Sequence, residues 1–364
     1  MQDNPFTPTF GEVPVYLAGR SQTVNALTRA FESASRRPEL TTIFSGSRGT
    51  GKTTLLFVLG RTAQEHGWIA VNVTAFEGML DDIEIQAREK AAHLIASKGG
   101  TGIKSIGIPQ VLEVELTRTP EPSNWRSRMA TLIKELNALG TGLLITVDEV
   151  DANLAEMVQL AAVYQHFVSE GLRVALLMAG LPHNISALLN DRTASFLRRA
   201  NSERLERIPD FEVRIALEKT IKAGERSADA QGLSQAVDAI GGFAFLLQLV
   251  GYYAWDASPE AATISQQDFE LGIQTARQAL ESRIFEKTYR ELSAEDIRFL
   301  EAMLEDEGDS KIADICARLE RSSAQVGLYR SRLIDAGIIG ERRRGVIGFD
   351  LPYFREFLAS KREG

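Results

Sequence analysis

The sequence predicts an α/β protein in which a parallel sheet is followed by an all-helical region and then by a winged helix-turn-helix. Short apolar runs of strand length alternate with helical patterns over residues 1–208. A glycine-rich loop with the spacing G-x-x-x-x-G-K-[ST] joins the first predicted strand to a helix. From residue 209 onward the pattern is helical, until a basic hairpin pattern appears near the C-terminus.

Composition indicates a soluble globular chain that is long enough for two or three domains. Its 364 residues are 25% charged and 44% hydrophobic, and the net charge of −8 argues against a uniformly basic nucleic-acid surface. The one cysteine, Cys316, excludes a disulfide framework and lies in an apolar helical pattern that favours a buried thiol. Neither a membrane-spanning run nor a secretory signal pattern is present, so we expect a cytoplasmic protein without membrane contact.

The first unit, residues 1–208, has the alternating pattern of a doubly wound P-loop sheet. After an irregular arm over residues 1–15, an amphipathic helix is expected over 21–34 with Ser21 as its N-cap. Residues 98–123 contain glycine and proline clusters, which favour an inserted β-ribbon or an ordered loop. The other expected elements are strands at 41–44, 68–73, 143–147, 172–180 and 205–208, and helices at 52–65, 80–97, 123–139, 155–171 and before residue 195.

The glycine-rich loop predicts a nucleoside-triphosphate site. Its glycines let successive backbone N–H groups point at a polyphosphate, and the dipole of the following helix adds to that field. Lys52 is expected to reach the β- and γ-phosphates, and the Thr53 hydroxyl is expected to ligate Mg²⁺. The loop residues expected to contact nucleotide are Gly46, Ser47, Arg48, Gly49, Thr50, Gly51, Lys52, Thr53 and Thr54.

Two acidic residues, Asp148-Glu149, follow the third apolar strand. The carboxyl ends of parallel strands are where such sheets bind ligands. Asp148 is expected in the Mg²⁺ shell, and Glu149 is expected to orient and deprotonate an attacking water. The alternative interpretation is a helix N-terminus with an acidic first turn, in which Asp151 is the N-cap.

The second unit, residues 209–291, is predicted to be all-helical, with no strand. Helices are expected at 211–224, 228–239, 242–256 and 265–291. Ser265-x-x-Asp268 is a capping signal at the start of the last helix. Gly241-Gly242 interrupts the middle of the unit.

The third unit, residues 292–364, is predicted to be a winged helix-turn-helix. Helices open at Ser293, at Asp309 or Ser310, and at Ser322, and a basic hairpin follows. In one interpretation the third helix enters the major groove of double-stranded DNA while the hairpin holds phosphate. The residues assigned to DNA are then Ser323, Gln325, Arg330, Arg332, Arg342, Arg343 and Arg344. The alternative is a winged helix that docks to protein or self-associates, with solvated arginines.

With these motifs in this order, the chain resembles the AAA+/STAND-type P-loop ATPases, and among them the archaeal-type ATPases and the origin-recognition/Cdc6-like proteins. The resemblance covers nearly the whole chain and is strongest at GSRGTGKTT, LLITVDEVD and Leu17-Ala18-Gly19-Arg20-Ser21. It implies an AAA+-like core, a helical lid and a winged helix. It also implies adenine contacts at Gly19 and Arg20, since the family packs this box beside the base.

The same resemblance implies an ATPase. Lys52 and Thr53 match the Walker A motif, and Asp148 and Glu149 match the Walker B motif. Arg198 or Arg199 lies where the family places an arginine finger that reaches the γ-phosphate of a neighbouring subunit.

Departures from the family pattern favour a slow switch over continuous hydrolysis. Met178-Ala179-Gly180 offers no polar sensor after the fourth strand, Ala244 replaces an expected proline, and no lid arginine occupies the usual sensor position. No N-K-x-D guanine signature is present, which favours adenine. We therefore expect a Mg²⁺-ATP-dependent switch that binds DNA through its winged helix. The alternative is a STAND-like signalling or assembly scaffold, acting as a homo-oligomer or with a partner protein.

Overall fold

A parallel sheet of five strands forms the centre of the first unit in the computed structural model, which describes residues 3–9, 12–97 and 124–363. The ribbon or loop predicted over 98–123 lies outside the described residues. The strand order is β2-β3-β4-β1-β5, so the first strand lies between the fourth and the fifth. The strands are β1 (Thr41–Ser45), β2 (Trp68–Thr74), β3 (Gly142–Asp148), β4 (Val174–Gly180) and β5 (Asn201–Arg204).

Helices cover both faces of this sheet, which confirms the predicted α/β class. Successive strand residues point to opposite faces, so Ile43 belongs to one buried cluster and Phe44 to the other. A 3₁₀ turn, Ser195–Arg199, leads into β5. The helices are α1 (Ser21–Glu32), α2 (Lys52–Glu65), α3 (Met79–Ser97), α4 (Trp125–Ala138), α5 (Ala155–Ser169) and α6 (Pro182–Asn190).

Two details predicted for the first unit are wrong. The last strand is residues 201–204 rather than 205–208, because the apolar side chains of Leu205 and Ile208 are buried against the loop and the following unit. The N-cap of α1 is Arg20, not Ser21, and it provides no side-chain cap because its guanidinium bonds elsewhere.

The second unit is helical, as predicted, apart from one short pair of strands. The strands β6 (Ser227–Ala228) and β7 (Thr263–Ile264) pair in parallel, so the expectation of no strand is wrong. They align the starts of two helices, whose N-caps are Asp229 and Ser265, and Ser265 forms the predicted capping box with Asp268. A π-helical turn, Glu281–Phe285, interrupts the last predicted helix. The helices are α7 (Asp210–Ala223), α8 (Ala230–Ile240), α9 (Ala244–Ala257), α10 (Gln266–Leu280) and α11 (Glu286–Glu291).

The third unit combines short helices with a three-stranded antiparallel sheet, an arrangement consistent with the predicted winged helix. Capping boxes begin its first and third helices at Ser293 and Ser322. Cys316 is only partly buried, so the expectation of a buried thiol is wrong. The elements are α12 (Ala294–Leu304), β8 (Ser310–Lys311), α13 (Ile312–Leu319), α14 (Ser323–Asp335), β9 (Ile339–Arg343), β10 (Val346–Phe349) and α15 (Phe354–Glu363).

The last helix, α15, was not expected from the sequence, and it joins the second and third units. Phe354 and Phe357 pack on Phe285, with ring centroids 5.3 and 5.4 Å from it. One buried cluster therefore runs from the helical unit into the winged helix. Within the described residues, no helix has the length and apolar character to span a bilayer.

Candidate nucleotide-binding site

The loop between β1 and α2, residues 46–51, has a backbone path that depends on glycine. Gly49 and Gly51 have φ angles of 78° and 85°, in the left-handed region that side chains disfavour. A Cβ at Gly46 would lie 2.8 Å from the Thr50 hydroxyl and 2.9 Å from the Leu205 carbonyl. No side chain caps the N-terminus of α2, so its first N–H groups face the loop without a side-chain acceptor. The loop thus has the open N–H groups and positive dipole end that bind phosphate.

Lys52 lies inside this loop. Its ammonium donates to the carbonyl oxygens of Gly46 and Ser47, both at 2.8 Å. Burial lowers the pKa of Lys52 to about 8, although the nearby carboxylate of Asp148 opposes the shift. The lysine is therefore placed where a polyphosphate would be cradled.

Thr53 and Asp148 meet at the junction of α2 and β3. The Thr53 hydroxyl donates to Asp148 Oδ2 at 2.5 Å. A hydroxyl and a carboxylate are hard oxygen ligands of the kind that Mg²⁺ takes. Within the described residues, no group of three or more His, Cys, Asp or Glu could hold a metal alone. This pair fits a Mg²⁺ ion that keeps waters and takes its remaining ligands from substrate phosphates.

Glu149 follows Asp148 in a left-handed conformation, with φ of 52°. Its backbone N–H donates to Asp148 Oδ1 at 2.9 Å, which turns the chain and leaves the Glu149 side chain exposed. Asp151 does not cap the next helix, because the N-cap of α5 is Leu154. The helix-cap interpretation of this acidic stretch is therefore wrong.

Arg20 connects the loop with the segment that leads from β5 to the helical unit. Its side chain is buried, and burial lowers its pKa. One guanidinium nitrogen donates to the carbonyls of Thr50 at 3.3 Å and Glu206 at 2.9 Å. Gly19 has φ of 69° and its N–H donates to the Glu212 carboxylate at 2.7 Å. The predicted box thus lies beside the loop and contacts the helical unit.

The second and third units both contact the loop. A Cβ at Gly51 would lie 3.4 Å from the Cβ of Ala244, at the start of α9. From the winged helix, a Cβ at Gly337 would lie 3.5 Å from the backbone nitrogen of Arg48. Beside this contact, His183 Nδ1 lies 3.4 Å from Asp335 Oδ1, which joins α6 to the end of α14. The loop is therefore a meeting point of three units.

Arg198 and Arg199 are exposed at the end of the 3₁₀ turn. Arg198 Nε donates to the Leu189 carbonyl at 2.7 Å, which holds it on α6. Within the described part of the chain, neither arginine has a hydrogen bond or ion pair with a loop residue. The structure thus does not bring them to this chain's own loop.

The residues assigned to DNA are not equally available. Arg332 pairs with Asp296 at 2.6 Å, and Arg342 pairs with Asp350 at 2.7 Å. Gln325 is used in the capping box of α14, and Arg330 is partly buried. Arg343 and Arg344 are exposed at the hairpin and form no ion pair among the described residues, and Ser323 is also exposed. Sequence reasoning did not single out Leu328, which is 69% exposed on α14.

Comparisons with known proteins find likeness chiefly in solved structures. A family model described as "Domain of unknown function (DUF8462)" matches residues 282–358, and the curated proteins give no match. The ORC2 protein of Aeropyrum pernix, in ADPNP–ADP complexes, is similar over 98% of both chains, at 16% identity and a TM-score of 0.65. A Walker-type ATPase of Pyrococcus abyssi is similar over 94% of this chain and 96% of its own, at 14% identity and 0.68. The Cdc6p protein of Pyrobaculum aerophilum is similar over 98% and 96%, at 16% identity and 0.52.

These likenesses confirm the fold that the sequence resemblance implied. The chain has the architecture of the archaeal ORC/Cdc6 AAA+ ATPases, and the similarity extends over nearly its whole length. The likeness is one of fold, so the chemistry rests on the residues described above.

Proposed function

We propose that this protein is a Mg²⁺-ATP-dependent switch ATPase that hydrolyses ATP slowly. The observation that carries the proposal is the pairing of Lys52, partly buried inside the loop, with the Thr53–Asp148 contact at its edge. A cation for phosphate and an oxygen pair for Mg²⁺ are the two things that phosphoryl transfer needs from a P-loop. The similar structures include an ADPNP–ADP complex and a Walker-type ATPase, which supports adenine nucleotide as the ligand.

Each residue then has a role in the reaction. Lys52 binds the β- and γ-phosphates, and the loop N–H groups of residues 46–54 hold the phosphate oxygens. Thr53 and Asp148 hold Mg²⁺, which when bound neutralises the charge that develops on the phosphates. Glu149 accepts a proton from the attacking water, since its exposed carboxylate follows directly on the metal-binding residue. Arg199, supplied by a neighbouring copy, stabilises the transition state as an arginine finger.

Slow turnover is proposed because polar groups are missing where fast ATPases need them. All seven residues of β4, which ends in Met178-Ala179-Gly180, are buried. In the described part of the lid, Ala244 faces Gly51 at the start of α9, with no cation at that contact. The site can therefore bind nucleotide firmly while it lacks two of the polar groups, at the end of β4 and on α9, that would stabilise the transition state.

Two substitutions test the site. Lys52→Ala should abolish tight ATP binding, measured by equilibrium dialysis. Glu149→Gln should leave binding intact and lower the hydrolysis rate by about 10²–10⁴-fold. Normal turnover in Glu149→Gln would remove Glu149 as the base, and unchanged binding in Lys52→Ala would refute the nucleotide site.

We propose double-stranded DNA as the partner that the switch controls. Arg343 and Arg344 support this, because both are exposed at the hairpin and form no ion pair among the described residues. Arg343→Ala with Arg344→Ala should weaken DNA binding in mobility shifts with ATP, and should also reduce its salt dependence. No binding at low salt would refute the DNA partner.

A specific observation favours the second candidate, an assembly scaffold whose winged helix binds protein. Two of the proposed DNA arginines, Arg332 and Arg342, are neutralised by carboxylates, while Leu328 is exposed on α14. Exposed leucine suits protein contact better than phosphate contact. Light scattering with ATP and with ADP tests this function. A monomer of unchanged mass in both nucleotides would remove the assembly version.

A further inference from the structure

The N-terminal arm is anchored in the helical unit rather than on the sheet. Phe6 is 2% exposed and belongs to the same buried cluster as the residues of α9. A Cβ at Gly251 of α9 would lie 2.2 Å from the Phe6 ring, so glycine makes the socket for this ring. Beside it, a Cβ at Gly224 would lie 2.3 Å from the Trp255 ring and 3.1 Å from Pro5.

Polar contacts fix the arm on the same helix. Asn4 Nδ2 donates to the Tyr252 carbonyl at 3.0 Å and to Asp256 Oδ1 at 2.9 Å. The backbone N–H of Thr7 donates to the Gln248 side chain at 2.9 Å. Each of these hydrogen bonds pairs a particular donor with a particular acceptor, so together they fix the position of the arm on α9.

Two further residues before the nucleotide loop, Tyr16 and Gly19, also contact the helical unit. The Tyr16 ring lies 4.5 Å from the Lys219 ammonium, and the Gly19 N–H donates to Glu212. At Arg20 the chain reaches the loop, where the Arg20 guanidinium donates to the Thr50 carbonyl. The same guanidinium holds the Glu206 carbonyl, in the segment by which the chain returns to the helical unit.

We infer that the N-terminal arm is a positioning strap that makes nucleotide affinity depend on the helical unit. Two stretches of chain pass between the sheet and the helical unit. Residues 204–210 join the two covalently, and residues 19–20 join the sheet to the arm that is seated on the helical unit. Arg20 donates to one carbonyl in each stretch, those of Gly19 and Glu206, beside the loop. When Phe6 is packed against α9, the arm restrains residues 19–20 and therefore the position of the Arg20 side chain. Phe6 does not touch the loop, and it acts through Arg20.

This inference rests on the proposed nucleotide site, and it has a direct test. Phe6→Ala should weaken the binding of a fluorescent ATP analogue at least about fivefold, the lower end of typical coupling between sites. Gly251→Ala should do the same, because its methyl group excludes the Phe6 ring. The double variant should be no weaker than either single one, since both remove the same contact. Phe211→Ala is the matched control, because Phe211 is 63% exposed on α7 and should leave affinity unchanged.

Hydrogen exchange separates positioning from simple loss of stability. In the wild type, ATP should slow exchange of the Thr7 amide, which is bonded to Gln248. In Arg20→Ala the arm should stay seated, but ATP should no longer slow exchange at Thr7. If Phe6→Ala does not fold, Asn4→Ala loosens the same seat while keeping the ring, and it should show a smaller loss of affinity in the same direction.

The outcomes distinguish the two proposals. Wild-type affinity in a variant whose arm is released, shown by fast Thr7 exchange, would overturn the strap and leave the nucleotide site standing. Additive losses in the double variant would also overturn it. A wild-type protein that binds no nucleotide would refute the proposed function and this inference with it.

Discussion

The partly buried ammonium of Lys52 dominates the electrostatics of the loop. Lys52 donates to two loop carbonyls, yet burial brings its pKa down to about 8. Near neutral pH the charge is therefore present, and a polyphosphate can replace the two carbonyls as its partner. When the pH is above that pKa, ligand binding therefore changes the protonation of Lys52.

The pKa of Lys52 gives a pH dependence with a defined sign. Above about pH 8 free protein carries a neutral lysine, while bound phosphate favours the charged form, so binding must take up a proton. ATP affinity should fall as pH rises through this value, by no more than about tenfold per pH unit. Calorimetry in buffers of different ionisation enthalpy measures the uptake. Lys52→Arg is the control, because arginine stays charged, and equal proton uptake in that variant would contradict the assignment.

Glycine at position 142 permits a close contact at the opposite end of the sheet. A Cβ there would lie 2.4 Å from the Trp68 ring, which is 3% exposed. Gly142→Ala should lower the free energy of unfolding by about 1–3 kcal/mol, as overpacking does. Gly327, with nothing within 4 Å of its Cβ position, is the control. Gly327→Ala should stabilise α14 by up to about 1 kcal/mol, and the same loss in both variants would contradict the packing argument.

At the scale of elements, the hairpin divides its arginines between structure and surface. Arg342 bonds Asp350 and the Phe349 carbonyl, so it fastens β9 to the end of β10. Arg343 and Arg344 make no such bonds among the described residues.

Substitution in the hairpin should separate these roles. Arg342→Ala should lower thermal stability, by about 1–3 kcal/mol, because it leaves a partly buried carboxylate without its charged partner. Arg344→Ala should leave stability within about 0.5 kcal/mol and change only partner binding. Thermal denaturation and binding assays on both variants check this. Equal stability of the two would show that the ion pair of Arg342 contributes nothing.

Elements with local signals could be predicted, and elements held by distant partners could not. The loop, β3 and the capping boxes at Ser265, Ser293 and Ser322 follow from short-range pattern, and the structure has them. The run 205–208 begins and ends with apolar residues, Leu205 and Ile208, because both are buried in contacts outside the sheet, and this pattern resembles that of a short strand. The seat of Phe6 depends on Gly251, and no short-range signal connects residues so far apart. For α15, the spacing of Phe354, Phe357 and Leu358 was an available helical signal that was missed.

At the scale of the whole molecule, the winged helix lies against the nucleotide loop. Gly337 approaches Arg48, and Asp335 lies beside His183. In sequence, the loop and the end of α14 are far apart, and their contact could be learned only from the structure. Any change in the position of Arg48 on nucleotide binding therefore reaches the winged helix directly.

Reversing the charge at this contact should detach the winged helix. Asp335→Arg would replace the carboxylate that faces His183 with a cation, two residues from Gly337, which contacts Arg48, so the new cation and Arg48 would repel each other. We expect a larger radius of gyration in small-angle scattering and faster proteolysis of the chain just after residue 291, where the helical unit ends. Glu356→Arg, an exposed change on α15, should leave both measurements unchanged. A compact Asp335→Arg variant would show that other contacts are enough to hold the unit.

Trp255 can serve as an intrinsic fluorescent probe of the helical unit, residues 209–291. The chain has three tryptophans, and Trp68 and Trp125 belong to the buried clusters of the sheet, whereas Trp255 lies in the lid beside Gly224 and Pro5. With the other two replaced by phenylalanine, the emission would come from Trp255 alone, which lies beside Gly224 together with Pro5 of the N-terminal arm. The wavelength of maximum emission of Trp255 should increase when water replaces Pro5. Movements of the arm that depend on nucleotide can therefore be followed in real time without an attached dye.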